Sequence, residues 1–299
     1  MTVRWVAVAS GQGGQQPGHA QRVATSPLGA AWRRATGSVV PGGADVAANR
    51  IAQPTIAAWQ LDAFASLAPR VPAPVLVAGY SVGEVAACAI AGAFAPDDAI
   101  VLAAERARLM DEAAPYPCSL AAVLGLFERD VESLCQGREA AIAIRNGPRH
   151  FIVGGRREDV DRVVLEASAA GAARAHALAV ATPAHTRWLA AAVPRFAQSL
   201  ARVAPASLRI PMISAIDASR VATAAEVASA LSRQIATRLD WAACMEAIAE
   251  MQPDAVMELG PCNALARMLA EAVPHVPVRA IEDFRDPAAA AAWILGQGR

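Results

Sequence analysis

Lysine is absent from the 299 residues, so all 27 basic side chains are arginine. A Schiff-base lysine is therefore excluded, and with it aldolase-type and pyridoxal-phosphate chemistry. A phosphate-binding loop that depends on lysine is excluded for the same reason. The 27 arginines are balanced by 27 acidic residues, which leaves no basic excess of the kind that nucleic-acid binding needs.

Cysteine is scarce and scattered, with five residues and no Cys-x-x-Cys pair. This spacing predicts neither a zinc site nor a redox-active pair, and it favours free thiols in a reducing compartment. Long apolar runs are missing too. No apolar stretch reaches the roughly 18 residues that a membrane span needs, and the run 3–9 is too short for a signal peptide. We therefore expect a cytoplasmic protein with no membrane span, no metal and no bound cofactor.

What the sequence does contain is a large apolar fraction, 55%, arranged as short strand segments that alternate with helical ones. Alternation of this kind predicts an α/β fold with a parallel sheet covered by helices on both faces. Residues 118–182 follow a different order, β-α-β-β-α-β, which is that of a ferredoxin-like unit. Within it, Asn146-Gly147 between the strand segments 140–145 and 150–154 is a hairpin-turn signal.

Two domains follow from this pattern. Residues 1–117 and 183–299 are predicted to form one catalytic domain, and residues 118–182 a ferredoxin-like subdomain inserted into it. After the insertion, strands of the catalytic domain are expected at 209–215, 255–259 and 276–281, with helices between them.

A nucleophile elbow is predicted at Gly79-Tyr80-Ser81-Val82-Gly83, where a short apolar strand runs into an alanine-rich helix. The two glycines lack the Cβ atoms that would clash where the strand and the helix pass closely. The Ser81 hydroxyl would stand at the end of the sheet, over the positive end of the following helix. The amide of Val82 would point to where an oxyanion forms. The pattern therefore predicts serine-dependent acyl chemistry in an α/β-hydrolase-like domain.

A serine nucleophile needs a base, because its unassisted hydroxyl reacts poorly. The candidates are His19, His150, His176, His185 and His275. Three of them are expected to be structural or superficial: His176 lies in a predicted strand, His150 beside the hairpin turn, and His275 in a proline-flanked stretch. His19 follows a glycine-rich loop, and His185 lies where the insertion returns to the catalytic domain. The residues alone leave the choice between these two open.

Several motifs, in order along nearly the whole chain, resemble those of malonyl-CoA:acyl-carrier-protein transacylases. The glycine loop at 11–15 resembles their GQGxQ segment, and residues 79–84 resemble their GHSxGE elbow. Glu105-Arg106 occupies the place of their substrate arginine. Residues 183–185 resemble their P-S-H segment, and 258–261 their E-x-G-P turn. The predicted architecture, a hydrolase-like domain with a ferredoxin-like insertion, is also the architecture of this family.

The resemblance implies a Ser-His dyad rather than a Ser-His-Asp triad. Ser81 would be the nucleophile and His185 its base, and the carbonyl of Gln234 would orient that histidine. Arg106 would hold the free carboxylate of malonyl-CoA, the implied substrate, with a forked contact.

The resemblance further implies that the backbone amides of Gln12 and Val82 form the oxyanion hole. By a ping-pong mechanism, the enzyme would pass a malonyl group from CoA to the terminal thiol of an acyl carrier protein. Three alternatives remain at this stage. A fatty-acid or polyketide malonyl transacylase would carry out this same transfer, and it is an alternative only to a more specific subunit assignment. A serine esterase or thioesterase would pass the acyl group to water, and an idle carrier-docking subunit would catalyse nothing.

Three positions depart from the family pattern. Tyr80 stands where most members have histidine, Ser10 replaces a proline in the first loop, and Ala184 replaces the serine next to the catalytic histidine. In the form GYSVGE, the elbow resembles that of the epsilon subunit of bacterial malonate decarboxylase. That likeness implies a carrier with a phosphoribosyl-dephospho-CoA arm, and other malonate decarboxylase subunits as partners.

Overall fold

The computed structural model describes residues 2–37 and 46–298, and within them the chain is an α/β protein with two sheets. The helices are α1 (Pro17–Thr25), α2 (Gly29–Thr36), α3 (Asn49–Leu67), α4 (Gly83–Ala91), α5 (Pro96–Ala113), α6 (Glu128–Cys135), α7 (Arg157–Ala169), α8 (Ala192–Val203), α9 (Ala224–Arg233), α10 (Trp241–Glu250), α11 (Ala264–Ala272) and α12 (Pro287–Leu295). The strands are β1 (Trp5–Ala9), β2 (Leu76–Gly79), β3 (Cys118–Leu124), β4 (Ala140–Gly147), β5 (His150–Arg156), β6 (Arg174–Ala177), β7 (Met212–Ile213), β8 (Arg220–Val221), β9 (Leu239–Asp240), β10 (Ala255–Glu258) and β11 (Val278–Ala280). None of these helices combines the length and the apolar character that crossing a bilayer requires.

The larger sheet has the strand order β11-β10-β1-β2-β7-β8. Its central strands, β1 and β10, are buried along their whole length, which fits their apolar sequences because strands covered on both faces need no polar alternation. Neighbouring strands are parallel except for β7 and β8. The predicted parallel sheet is thus a mixed one, because residues 214–219 leave room for a turn between β7 and β8 but not for a crossover.

Two strands of this sheet are shorter than predicted, and a proline precedes each of them. β7 starts after Pro211 and β11 after Pro277. Proline has no N–H to donate to a neighbouring strand, although each of these prolines still accepts a hydrogen bond through its carbonyl. Each of these two strands therefore begins only at the residue after its proline.

The smaller sheet has the order β6-β3-β5-β4-β9. The elements from β3 to β6 follow one another as β-α-β-β-α-β, and β6, β3, β5 and β4 pair in antiparallel fashion. Helices α6 and α7 contribute to an apolar cluster with the strands, which includes Val123, Val131, Phe151, Val153, Val160 and Val163. β9, which was not predicted, pairs parallel with β4 and so connects this sheet to the C-terminal part of the chain.

The hairpin in this sheet turns two residues later than the sequence predicts. Asn146 and Gly147 still belong to β4, and Gly147 pairs with His150. The turn itself consists of Pro148 and Arg149. Proline is favoured at the second position of a tight turn because its φ is preset, so Pro148 outweighs the Asn-Gly signal. As a result, Asn146 is a strand residue with its side chain available to the larger domain.

Candidate active site

The elbow has the geometry that its glycines suggest. Ser81 lies between β2 and α4 with φ of 57°, in the left-handed region. A Cβ on Gly79 would come within 2.2 Å of the Glu84 Cα, and a Cβ on Gly83 within 2.1 Å of the Ala9 carbonyl oxygen. Both distances are shorter than any real contact, so space alone requires glycine at these positions. The turn therefore carries Ser81 at the end of the larger sheet.

His185 is the histidine that reaches the serine, with its Nε2 2.7 Å from Ser81 Oγ. Its ring Nδ1 lies 2.5 Å from the backbone carbonyl of Gln234, just beyond α9. The backbone N–H of His185 donates to the Ile235 carbonyl over 2.9 Å. Because a carbonyl can only accept, the ring hydrogen must be on Nδ1. Nε2 is then free to accept the hydroxyl proton, which is the tautomer that a general base needs.

The protonation state of His185 suits the same role. Burial, with a smaller contribution from the positive charge of Arg106, lowers the pKa of His185 to about 3, although the hydrogen bond to the Gln234 carbonyl opposes this. The imidazole is therefore neutral at neutral pH and can accept a proton.

Arg106, on α5, is fully buried beside the nucleophile. Nη1 donates to Gln53 Oε1 over 2.7 Å and Nη2 to Gln234 Oε1 over 2.9 Å, while Nη2 also lies 3.4 Å from Ser81 Oγ. Burial lowers the pKa of Arg106 to about 10, and the buried Glu84 opposes this shift. The guanidinium therefore stays charged at neutral pH and presents that charge within reach of an acyl group on Ser81.

Gln234 connects the three groups. Its backbone carbonyl accepts from His185, its side-chain oxygen accepts from Arg106, and its Nε2 donates to the Ser81 carbonyl over 2.9 Å. The sequence indicated only the carbonyl contact, through the family resemblance. The two side-chain contacts depend on long-range packing, and no local pattern could have indicated them.

The two amides proposed for the oxyanion hole lie on the segments that flank the serine. Val82 directly precedes α4, and Gln12 lies on the loop 10–16, which packs against the elbow closely enough that a Cβ on Gly11 would lie 3.4 Å from the Ser81 Cβ. The Gln12 side chain is turned away and donates to the Ala47 carbonyl over 3.1 Å. Within residues 2–37 and 46–298, neither of the two backbone amides has a hydrogen-bond acceptor.

A cavity of about 70 Å³ lies over these groups, between the two sheets. Its polar lining includes Gln12, Ser81, Arg106 and His185. Strands of the smaller sheet contribute much of the apolar wall, which comprises Met110, Leu120, Ile144, Ile152, Leu178, Val180 and Ala184. The cavity is thus closed by the segment that was predicted to be an insertion.

Sequence reasoning missed Gln53 and Asn49, which also line this cavity. Gln53 accepts from Arg106 and donates to Asn49 Oδ1 over 2.6 Å, and both side chains are buried. A signal was present, because the two amides stand one helical turn apart among the many apolar residues in the first half of α3. Buried amides at that spacing indicate a polar partner on a neighbouring element, which here is Arg106.

Two of the positions that depart from the family pattern make specific contacts. The Tyr80 hydroxyl donates to Asn146 Oδ1 over 3.1 Å, and its ring packs edge-on against Trp241 with 5.3 Å between centroids. Ser10 donates through Oγ to the Gly260 carbonyl. Tyr80 therefore ties the elbow to the smaller sheet, and Ser10 ties the first loop to the turn after β10.

The remaining histidines lie away from the serine. His19 is at the start of α1 and contacts Glu282, while His150 and His176 lie on β5 and β6. In the ranges that the structure describes, no group of three or more His, Cys, Asp or Glu side chains is arranged to hold a metal ion.

Comparison with known proteins gives consistent matches over nearly the whole chain. The family described as acyl transferase domain matches residues 7–294. The malonyl CoA-acyl carrier protein transacylase of Mycobacterium tuberculosis is 33% identical over 276 residues, which cover 91% of each chain. The crystal structure of an enzyme of that name from the same organism superposes with a TM-score of 0.88 at 31% identity, covering 96% of this chain and 99% of the other. A malonyl-transacylase in complex with its type II polyketide acyl-carrier protein gives 0.88 at 26% identity, covering 99% and 100%.

Proposed function

The chain belongs to the acyl transferase domain family, and from this premise we propose that it transfers a malonyl group from malonyl-CoA to the thiol of an acyl carrier protein. The observation that carries the proposal is a Ser81-His185 pair at 2.7 Å with the buried charge of Arg106 beside it. The names of the relatives agree with this substrate. An acyltransferase needs a nucleophile and a base, and a malonyl transferase needs in addition a cation for the free carboxylate.

In the first half-reaction, Ser81 Oγ attacks the thioester carbonyl carbon while His185 Nε2 takes the hydroxyl proton. The resulting oxyanion is held by the amides of Gln12 and Val82, for which the described residues provide no other acceptor. The carbon–sulfur bond then breaks, and the sulfur of CoA takes the proton from His185. A malonyl-serine ester remains on the enzyme.

In the second half-reaction, the thiol of the carrier gives its proton to His185 and attacks the ester carbonyl. The carbon–oxygen bond to Ser81 breaks, and the serine oxygen regains the proton. His185 therefore acts as base and acid in turn, and no carboxylate partner is needed because the Gln234 carbonyl already fixes its ring.

Arg106 is proposed to hold the carboxylate of the malonyl group. Its Nη2 lies 3.4 Å from Ser81 Oγ, so an acyl chain on Ser81 brings its far end to the guanidinium. The guanidinium is held by two glutamine side chains, whose amide oxygens orient it without neutralising it. A planar fork held in this way suits a carboxylate better than a flexible ammonium group would.

We also propose the finer description of the fold: an α/β-hydrolase-like domain of residues 1–117 and 183–299 with a ferredoxin-like subdomain of residues 118–182 inserted. The elbow between β2 and α4 supports the first part. The antiparallel order β6-β3-β5-β4 with α6 and α7 supports the second.

Within the family, we propose that this chain is the malonyl-transferring subunit of a cytoplasmic malonate decarboxylase. The support is Tyr80, which replaces the usual histidine and whose hydroxyl has its own partner in Asn146. The runner-up is a fatty-acid or polyketide malonyl transacylase, which the names of the relatives favour. Acyl transfer rates to a carrier with a phosphoribosyl-dephospho-CoA arm and to one with a phosphopantetheine arm distinguish the two, because the proposal expects the first carrier to be strongly preferred.

The transfer function is tested by mass spectrometry after brief incubation with malonyl-CoA. We expect one malonyl adduct on Ser81, none in Ser81→Ala, and transfer of the adduct when carrier thiol is added. Rapid release of free malonate without a thiol acceptor would instead identify a thioesterase. Absence of any adduct would favour a docking subunit and overturn the proposal.

A further inference from the structure

The loop 10–16, which carries Gln12, is anchored at its first residue by a buried amide. Gln60 Nε2 donates to the Ser10 carbonyl and to the Gly260 carbonyl, each over 2.7 Å. Gln60 is fully buried on α3. The start of the loop is therefore fixed to the end of β1 and to the turn that follows β10.

The last residue of the loop is anchored through a histidine. The N–H of Gln16 donates to His19 Nδ1 over 2.8 Å, and His19 Nε2 lies 2.9 Å from Glu282 Oε1. Because Nδ1 accepts, the ring hydrogen is on Nε2 and is donated to Glu282. His19 is 9% exposed and packs edge-on against Trp59, so its ring has little freedom to turn.

The middle of the loop is anchored through a cysteine that the same carboxylate holds. Glu282 Oε2 accepts the N–H of Cys262 over 2.5 Å, and Cys262 Sγ donates to the Gly14 carbonyl over 2.8 Å. Burial raises the pKa of the Cys262 thiol, so it keeps the proton that it donates. The hydrogen bond from His19 lowers the pKa of Glu282, so this side chain remains a carboxylate with two acceptor oxygens.

We propose that Glu282 is a positioning residue for the oxyanion hole: its two carboxylate oxygens hold Gly14 through Cys262 and Gln16 through His19, and thereby fix the backbone amide of Gln12. The inference rests on the proposed function, because it gives the Gln12 amide a task. Glu282 touches neither Ser81 nor the substrate cavity. It acts on the rate because a backbone donor stabilises an oxyanion only if it is already in place when the charge develops.

The rival explanation is an ordinary partly exposed hydrogen-bonded contact, which would contribute about 1 kcal/mol to stability and nothing to rate. Glu282→Gln separates the two explanations. An amide offers one acceptor oxygen, and its NH₂ group would face the second donor, so one of the two branches must break. Glu282→Ala breaks both. Glu226→Gln is the control, because Glu226 likewise accepts two N–H donors, here the backbone groups of Ala222 and Thr223 on one carboxylate oxygen at the exposed start of α9.

The experiment measures single-turnover acylation of Ser81 by malonyl-CoA, the fraction of protein acylated at completion, and malonyl-CoA binding to each variant in a Ser81→Ala background. We expect acylation rates about tenfold lower for Glu282→Gln and about 10²-fold lower for Glu282→Ala, the range that follows from displacing a catalytic donor by a fraction of an ångström to about 1 Å. The completed fraction and the binding constant should be unchanged. Glu226→Gln should acylate at the wild-type rate.

A structural role alone would give a different pattern, with a lower fraction acylated, a lower melting temperature and an unchanged rate constant in the folded protein. If Glu282→Gln shows this pattern, or if it is acylated at the wild-type rate, the positioning role is overturned and the proposed function still stands. If wild-type protein itself is not acylated, the proposed function fails, and the positioning role fails with it.

Discussion

Replacing Arg106 by alanine should remove the selectivity for malonyl over acetyl thioesters. The guanidinium is the charged group within reach of an acyl chain on Ser81, and it is fully buried, so water cannot take its place on a bound carboxylate. An acetyl group has no carboxylate and makes no use of it. The substitution should therefore affect one substrate much more than the other.

The magnitude follows from the contact that is lost. A hydrogen bond to a charged group contributes about 1.5–3 kcal/mol net. At 1.4 kcal/mol per factor of ten, losing the Arg106–carboxylate contact should lower kcat/KM for malonyl-CoA by about one to two orders of magnitude. Stability should fall as well, because the buried Gln53 and Gln234 oxygens lose their donor, at about 1–3 kcal/mol for each acceptor left unpaired.

The assay compares kcat/KM for malonyl-CoA and acetyl-CoA at saturating carrier, with urea unfolding to define conditions under which both proteins are folded. Arg108→Ala is the matched control, because Arg108 lies on the same helix with its side chain 48% exposed and, among the described residues, forms ion pairs with Glu105 and Glu112 alone. We expect the control to leave both substrates unaffected. Equal losses for malonyl-CoA and acetyl-CoA in Arg106→Ala would identify a structural arginine and refute the reasoning.

Two further predictions concern the histidine and the tyrosine. Burial lowers the pKa of His185 to about 3 from the ordinary 6.5. The acylation rate per folded molecule should therefore stay level from about pH 7 to about pH 5. A stopped-flow profile in which this rate falls with a midpoint near pH 6.5 would contradict the prediction. Below pH 6.5, His185 of the unfolded chain binds a proton that the folded chain does not bind. The free energy of unfolding should therefore fall by up to about 1.4 kcal/mol for each unit that the pH is lowered. Urea titrations at several pH values should show a weaker pH dependence of this free energy in His185→Gln. Tyr80→Phe removes the hydrogen bond to Asn146 and keeps the ring packing, so urea titration should show about 1 kcal/mol lower stability with transfer largely retained; unchanged stability would mean that the bond contributes nothing.

How far the fold could be predicted depended on how local its determinants are. The elbow was predictable because its motif lies within five residues and the 2.2 Å approach of a Gly79 Cβ to Glu84 is local, although the 2.1 Å approach at Gly83 is to Ala9 on another strand. The β-α-β-β-α-β order was readable from periodicity. β8 and β9 were missed because two residues carry no periodicity, and each exists only through pairing with a distant strand. The family predicted from the ordered motifs is confirmed.

The candidate site was predictable only in part for the same reason. Ser81 could be selected from its own neighbours, whereas His185 could not be separated from His19 without the family resemblance, because the 2.7 Å contact with the serine joins residues 104 positions apart. In the structure, His19 contacts Glu282 and not Ser81. Gln53 was overlooked, although it stands one helical turn from Asn49, because its partner Arg106 lies on another element.

The selectivity that we propose for Arg106 would originate in a buried charge whose hydrogen-bond acceptors are neutral amides. Its terminal nitrogens donate to the amide oxygens of Gln53 and Gln234 rather than to a carboxylate. Burial raises the pKa of Glu84 to about 8, while the charge of Arg106 acts to lower it, and burial keeps His185 neutral at neutral pH. The guanidinium is therefore a desolvated charge whose hydrogen-bond partners in the described residues are neutral, and Glu84 offsets its burial only in part. A malonyl carboxylate would relieve that cost and an acetyl group would not, so we expect discrimination between the two to depend on the charge of Arg106.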